Sequence, residues 1–159
     1  MAQGEGGKKK VMVAIDDSEF SHYALEWTLE NLLDSISSSP LVVFTVQSLA
    51  DLSYISAASF GAVHPELIKS LQDHQEKLSA ALLEKAKEIC AARGVTAETI
   101  SEIGDPKEAI CEAVEKFNIS LLVLGSHGRG VIKRAVLGSV SSYCVHSAKC
   151  SVLVVKKPT

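Results

Sequence analysis

Ile119-Ser120-Leu121-Leu122-Val123-Leu124 runs directly into Gly125-Ser126-His127-Gly128-Arg129-Gly130. Ile119 to Leu124 reads as a strand, and the four apolar residues in a row from Leu121 leave it no polar face, so it is covered on both sides, as strands of parallel sheets are. The glycines that follow mark a sharp exit from the carboxyl end of that strand, where open α/β sheets place their ligands. This stretch argues for an α/β fold.

The pattern repeats outward from it. Val11 to Ile15, Leu41 to Val46, Val95 to Ile103 and Val152 to Val155 are further short β-branched runs. Helical spacing fills the gaps between them. After Asp16-Asp17-Ser18, with Ser18 as N-cap, apolar residues recur at Leu25, Leu29, Leu32 and Ile36. A longer helix opens at Pro65, holds Leu71, Leu78, Leu82 and Ile89 on one face, and ends at Arg93-Gly94. Asp105-Pro106 places a capping carboxylate before a proline at the first helical position. Ile110, Val114 and Phe117 then form that helix's buried face. A last helix runs from Gly138-Ser139 to about Ala148. Five strands alternating with four helices predict a doubly wound parallel sheet with helices on both faces. The alternation does not give the strand order.

At 159 residues the chain fits one domain, expected over 9–157 behind a frayed tail at 1–8 that ends in Lys8-Lys9-Lys10. With 47% hydrophobic and 22% charged residues the composition is that of a globular protein. A net charge of −3 gives no global basic field, so neither nucleic acid nor an anionic membrane is an expected partner. No apolar run is long enough for a signal sequence or a membrane span, which makes the expected location cytoplasmic. Cys90, Cys111, Cys144 and Cys150 show no CxxC or zinc-finger spacing and are expected as small buried hydrophobes. Ser48 to His64 reads as a surface loop rather than a flap over the site.

The glycine loop is not a P-loop, because Gly130 is followed by Val131 rather than by lysine and a hydroxyl residue. It is not a dinucleotide fingerprint either, because Lys133 holds the third glycine position. Gly125 and Gly128 permit positive φ and close backbone approach. Gly138 and Ser139 open a helix whose N-terminus favours an anion. Taken singly, each glycine is explained by a tight turn.

Taken together, Gly125-x2-Gly128-x9-Gly138-Ser139 resembles the nucleotide-binding signature of the universal stress protein family, in its ATP-binding branch. Val11 to Asp16 resembles that family's first strand, Val152 to Val155 its last, and Gly104-Asp105-Pro106 is similar to its plant members. The resemblance covers about Lys9 to Lys157. Thr45 departs from it, since many members have histidine before the valine. The resemblance implies a Rossmann-like sheet, similar to that of the adenine nucleotide alpha hydrolases, in the order 3-2-1-4-5. It also implies a homodimer through the last strand, Val152 to Val155, and an ATP, ADP or AMP ligand.

Residue by residue, the resemblance places Ala14 beneath the nucleotide and Asp16 at the ribose or at a Mg²⁺ carried by the phosphates. Val46 would meet adenine through its backbone. Leu124, Gly125 and Gly128 would line the ribose and phosphate path, while Gly138, Ser139, Val140 and Ser141 would hold the β- and γ-phosphates. His127, Arg129, Lys133 and Arg134 are expected as exposed positive charge rather than ligands. Asp16-Asp17-Ser18 is equally well a turn with a helix cap. With no HExxH and no G-x-S-x-G, no dedicated catalytic residue stands out. Binding in a stress-response or regulatory role leads. A slow ATPase on the same site and a chaperone-like protein with a vestigial site are the alternatives.

Overall fold

A computed structural model describes residues 9–48, 65–127 and 137–158. The expected tail at 1–8, positions 49–64 of the expected loop, and Gly128, Arg129, Lys133 and Arg134 lie outside the described residues. The chain order is β1 (Val11–Ala14), α1 (Glu19–Asn31), α2 (Leu33–Ile36), β2 (Leu41–Ser48) and α3 (Pro65–Ala92). It continues through β3 (Ala97–Gly104), α4 (Pro106–Lys116), β4 (Leu121–Gly125), α5 (Ser139–Ser147) and β5 (Ser151–Val155). All five strands are parallel, in the order β3-β2-β1-β4-β5.

Strand periodicity divides the core into two. Val11, Val13, Leu41, Val43 and Val123 face α1 and α3, packing on Leu25, Leu29, Leu83, Ala86 and Cys90. Met12, Ala14, Val42, Phe44, Leu122 and Leu124 face α4 and α5, packing on Ile110, Ala113, Val114 and Cys144. Adjacent residues of one strand thus serve opposite layers, which is why these strands read as unbroken apolar runs. The winding reverses between β1, which leads to β2, and β4, which β3 reaches by crossing back. That reversal is the topological switch point.

Two strands begin later than the sequence predicts, for one reason. α3 ends with Gly94 at φ 73°, and α4 with Asn118 at φ 58°. Val95 N–H donates to Cys90 O at 2.9 Å and Gly94 N–H to Ala91 O at 2.9 Å. Ile119 N–H to Val114 O at 2.9 Å and Asn118 N–H to Glu115 O at 3.3 Å repeat the arrangement. These are Schellman caps, whose trailing residue is hydrophobic. Val95 and Ile119 are those buried residues, so they close a helix before the next ladder begins.

Other expectations change in detail. Ser18 caps α1 by accepting Ser21 N–H at 3.3 Å, but the apolar run to Ile36 breaks at Leu32 into α1 and α2, making five helices among the described residues. The Thr28 hydroxyl back-bonds to Ala24 O at 2.8 Å, a bond that bends helices. The break buries Ile36 while Leu33 turns outward. On α3 the inward residues are Leu83, Ala86 and Cys90, and Leu78 is 57% exposed. Leu82 and Ile89 of the expected face pack half-buried beside them, so the face is shared between the expected residues and Leu83, Ala86 and Cys90. Asp105 does precede Pro106 at the start of α4, yet its carboxylate makes no cap and instead pairs with Lys107 Nζ at 2.9 Å. That pairing holds the Asp105 carboxyl below its ordinary range.

Leu29 is fully buried between α1 and the sheet. Leu29→Ala is expected to destabilise the protein by about 2–5 kcal/mol, read as a lowered urea midpoint with an unchanged slope.

Candidate functional site

β1 stops at Ala14 while β2 continues to Ser48 and β4 to Gly125, leaving a gap above the switch point. A cleft of about 570 Å³ occupies it, within the range of small-molecule sites. Its floor is Ala14, Asp16, Val46 and Leu124, and its far wall is the start of α5.

The wall follows from a close approach that only glycine permits. A Cβ on Gly125 would lie 2.7 Å from Phe20 O and 2.8 Å from its carbonyl carbon. The first turn of α1 therefore rests on the bare backbone at the end of β4. Among the described residues positive φ in glycine occurs at Gly94 and Gly104, so contact rather than backbone conformation demands Gly125. Gly138 behaves similarly. It has ordinary extended geometry, and an added Cβ would meet His127 Cα at 3.2 Å and Ser126 O at 3.3 Å.

Three hydrogen bonds lash α5 to β4. Gly138 N–H donates to Ser126 O at 2.7 Å. The buried Ser141 hydroxyl donates to Gly125 O at 2.6 Å and to Ser126 O at 3.2 Å. Two donors expected to face a ligand are therefore engaged within the fold. What remains at the cleft is the helix terminus. Gly138 provides no side-chain cap, and the first helical bond runs from Ser142 N–H to Gly138 O at 2.9 Å. The amides of Ser139, Val140 and Ser141 precede it, in the positions that no intrahelical acceptor serves. Such a terminus attracts an anion.

The opposite end of the cleft offers a different recognition surface. Phe44 O accepts Ile15 N–H at 2.8 Å, so the Phe44 main chain faces β1. Val46, two residues on, turns its N–H and C=O to the same side. The next rung would use Ile15 O, but that oxygen accepts the Thr45 hydroxyl at 2.8 Å. The strand pairing of β1 with β2 ends at Ala14 and Phe44, so the Val46 main-chain pair borders the cleft. It presents one donor and one acceptor beside apolar Phe44 and Ile110.

Asp16 lines the cleft and also makes the turn into α1. Its Oδ1 accepts Ser18 N–H at 2.9 Å and the Ser21 hydroxyl at 3.0 Å. Among the described residues no group of three or more His, Cys, Asp or Glu is placed to hold a metal. His127, expected as exposed charge, is half-buried and lines the cleft. Its ring stands edge-on to Phe20 at 5.4 Å, and its Nδ1 is buried with no hydrogen-bond partner among the described residues. Sequence reasoning missed Ser21, Phe44, Ile110 and Pro106 as lining residues. Ser21 and Pro106 are legible only as parts of helix starts, and the other two only as core.

Nine of the ten expected site residues converge on this cleft, and Gly128 lies outside the described residues. The family model described as the universal stress protein family matches residues 8–156. A universal stress protein A-like protein of Arabidopsis thaliana is 32% identical over 158 residues, covering 93% of this chain and 90% of that protein. The solved universal stress protein UspA of Lactobacillus plantarum superposes with a TM-score of 0.77 at 21% identity, covering 93% of this chain and 97% of that one. A universal stress protein family protein of Arabidopsis thaliana, solved with AMP bound, superposes at 0.69 with 27% identity, covering 95% and 93%.

The contacts at the end of β4 are tight enough to be measured. Ser141→Ala leaves Gly125 O without its shortest partner and is expected to cost about 1–3 kcal/mol. Gly125→Ala forces α1 away from β4 and is expected to cost about as much. Both are read by equilibrium urea unfolding. A loss under about 0.5 kcal/mol, the size of an ordinary surface change, would contradict the geometry.

Proposed function

This chain belongs to the universal stress protein family, and we propose that it binds an adenine nucleotide in the cleft above β1, β2 and β4. The observation that carries the reading is the pairing of two unlike surfaces across one cavity. At one end the Val46 N–H and C=O offer an acceptor–donor pattern matching the edge of adenine. At the other, the amides of Ser139, Val140 and Ser141 suit phosphate oxygens. A nucleotide is apolar and hydrogen-bonding at one end and anionic at the other. Support comes from the Arabidopsis relative whose structure holds AMP.

In this reading Ala14 packs beneath the ligand and Leu124, Gly125 and Gly128 line the path between base and phosphates. Gly138 acts by letting α5 sit close to β4, which aims the three amides. Asp16 reaches the ribose, or a Mg²⁺ that arrives with a di- or triphosphate and neutralises its charge. Asp16 Oδ1 already holds the α1 turn, which suits a positioning group better than a base. Binding rather than turnover is the function, with nucleotide occupancy read out as a shift between conformations that bind it unequally. A second copy adds to β5, whose Val152, Leu153 and Val154 are half-buried on a strand bonded only to β4 among the described residues. Such an apolar edge is ordinarily paired or protected.

Equilibrium dialysis of purified protein against AMP, ADP and ATP with Mg²⁺, followed by phosphate analysis, tests this. One nucleotide per chain without phosphate release is the expected result, and turnover of bound ATP would move the function to the ATPase alternative. Gly138→Val should lower affinity by at least about tenfold, equivalent to roughly 1.4 kcal/mol, and Gly138→Ala by less. Wild-type protein that binds none of the three sinks the proposal. Sedimentation equilibrium is expected to give twice the chain mass.

A further inference from the structure

Behind the cleft, on the sheet face that carries α4 and α5, three of the four cysteines lie in one cluster. Cys111 on α4 and Cys144 on α5 hold their sulfurs 3.9 Å apart although 33 residues separate them in the chain. Cys144 is fully buried, Cys111 half-buried, and all four cysteines are free. Cys150 packs beside them and turns its Sγ to the Ser151 carbonyl at 3.2 Å. The two facing cysteines belong to the helices that make opposing walls of the cleft. α4 supplies Pro106 and Ile110, the latter adjacent to Cys111, and α5 supplies Ser139 to Ser142, one turn before Cys144.

We propose that Cys111 and Cys144 form a reversible dithiol–disulfide site, oxidised by a peroxide, that staples α4 to α5 and narrows the cleft between them. The Cys111 sulfur attacks one peroxide oxygen. With hydrogen peroxide the O–O bond breaks, one oxygen stays on Cys111 as the sulfenic acid, and the other leaves with the thiol proton as water. The Cys144 sulfur then attacks the Cys111 sulfur, forming the S–S bond and releasing the sulfenic oxygen as a second water. The two thiols lose two electrons and the peroxide gains them. Cys111 is the entry point because it alone of the pair is partly open to solvent.

Two constraints shape the behaviour. A disulfide needs about 2.05 Å between sulfurs, well below the present 3.9 Å. The side chains and the helices must therefore close on each other, and because hydrogen bonds hold the start of α5 to β4, α4 with Pro106 and Ile110 is the helix that moves toward it. Burial also pushes the Cys144 thiol up to about 12 and raises Cys111, with Glu115 adding to the latter and the contact with Cys144 opposing it. Thiolates are the reactive form, so the site answers sustained exposure rather than a brief pulse.

Trypsin separates all four cysteines, onto peptides 88–93, 108–116, 135–149 and 150–156. The full chain is treated with hydrogen peroxide, alkylated, and digested without reductant. The expected product joins 108–116 to 135–149, disappears with dithiothreitol, and is absent from Cys111→Ser and from Cys144→Ala. A link through 150–156 in its place, sulfinic acid at Cys111 without a link, or four alkylated cysteines overturns the proposal.

The narrowing rests on the nucleotide reading of the cleft and has its own readout. AMP affinity of the wild type is expected to fall by at least about threefold on oxidation, and that of Cys111→Ser to stay constant. By reciprocity, saturating AMP then lowers the equilibrium ratio of disulfide to dithiol, measured in a thiol–disulfide redox buffer, by the same factor. A disulfide that leaves AMP affinity unchanged overturns the narrowing. Failure of AMP to bind even the reduced chain defeats the nucleotide reading, while the linked peptide still decides the dithiol.

Discussion

The functional end of this molecule depends on a missing side chain. α1 sits so close to the last residue of β4 that a Cβ at Gly125 would fall 2.7 Å from the Phe20 carbonyl oxygen. Because that atom is backbone in a helix, it has no rotamer with which to yield. The approach fixes where β4 ends and where its carbonyls point. Gly125 O and Ser126 O are then free to take the Ser141 hydroxyl and the Gly138 amide. One steric allowance thus sets the position of α5, and with it the direction of that helix's exposed amides.

The second element is a deliberate mismatch of strand lengths. β1 is four residues long and β2 eight, so the longer strand carries main-chain groups past its neighbour. Unpaired backbone groups buried by protein are costly, but at a cleft a ligand edge can satisfy them. Thr45 completes the arrangement by giving its hydroxyl to Ile15 O. The carbonyl of Ile15, just past β1, is satisfied while the Val46 main chain borders the cleft.

The layer containing α4 and α5 couples the cleft to chemistry elsewhere. Cysteines that the sequence presents as small hydrophobes do fill core positions, and Cys90 is fully buried between α3 and the sheet, its thiol pushed up to about 11 by burial. Cys111 and Cys144 differ in that two helices bring their sulfurs face to face and Cys111 is partly open to solvent. A dithiol there acts on the same wall that carries the amides, so redox state and occupancy share one mechanical path.

The sequence alone determined the alternation of elements, the parallel sheet and the glycine-marked turn at the end of β4, while the resemblance supplied the residues expected at the cleft. The first three follow from local spacing: unbroken apolar runs at Val11 and Leu121, the proline at 106, and the glycines at 125 and 138. It also supported the strand order and the family through resemblance. Only the tertiary structure decided which donors face the cleft, since the Ser141 hydroxyl and Gly138 amide are drawn inward by carbonyls sixteen and twelve residues away in the chain. It likewise decided that His127 is half-buried, that Leu78 is exposed, that Val95 and Ile119 close helices, and that Cys111 meets Cys144. The reason is common to all of these. Periodicity reports what a residue does within its own element, whereas hydrogen-bond partners, close approaches and facing sulfurs arise between elements whose separation in sequence carries no pattern.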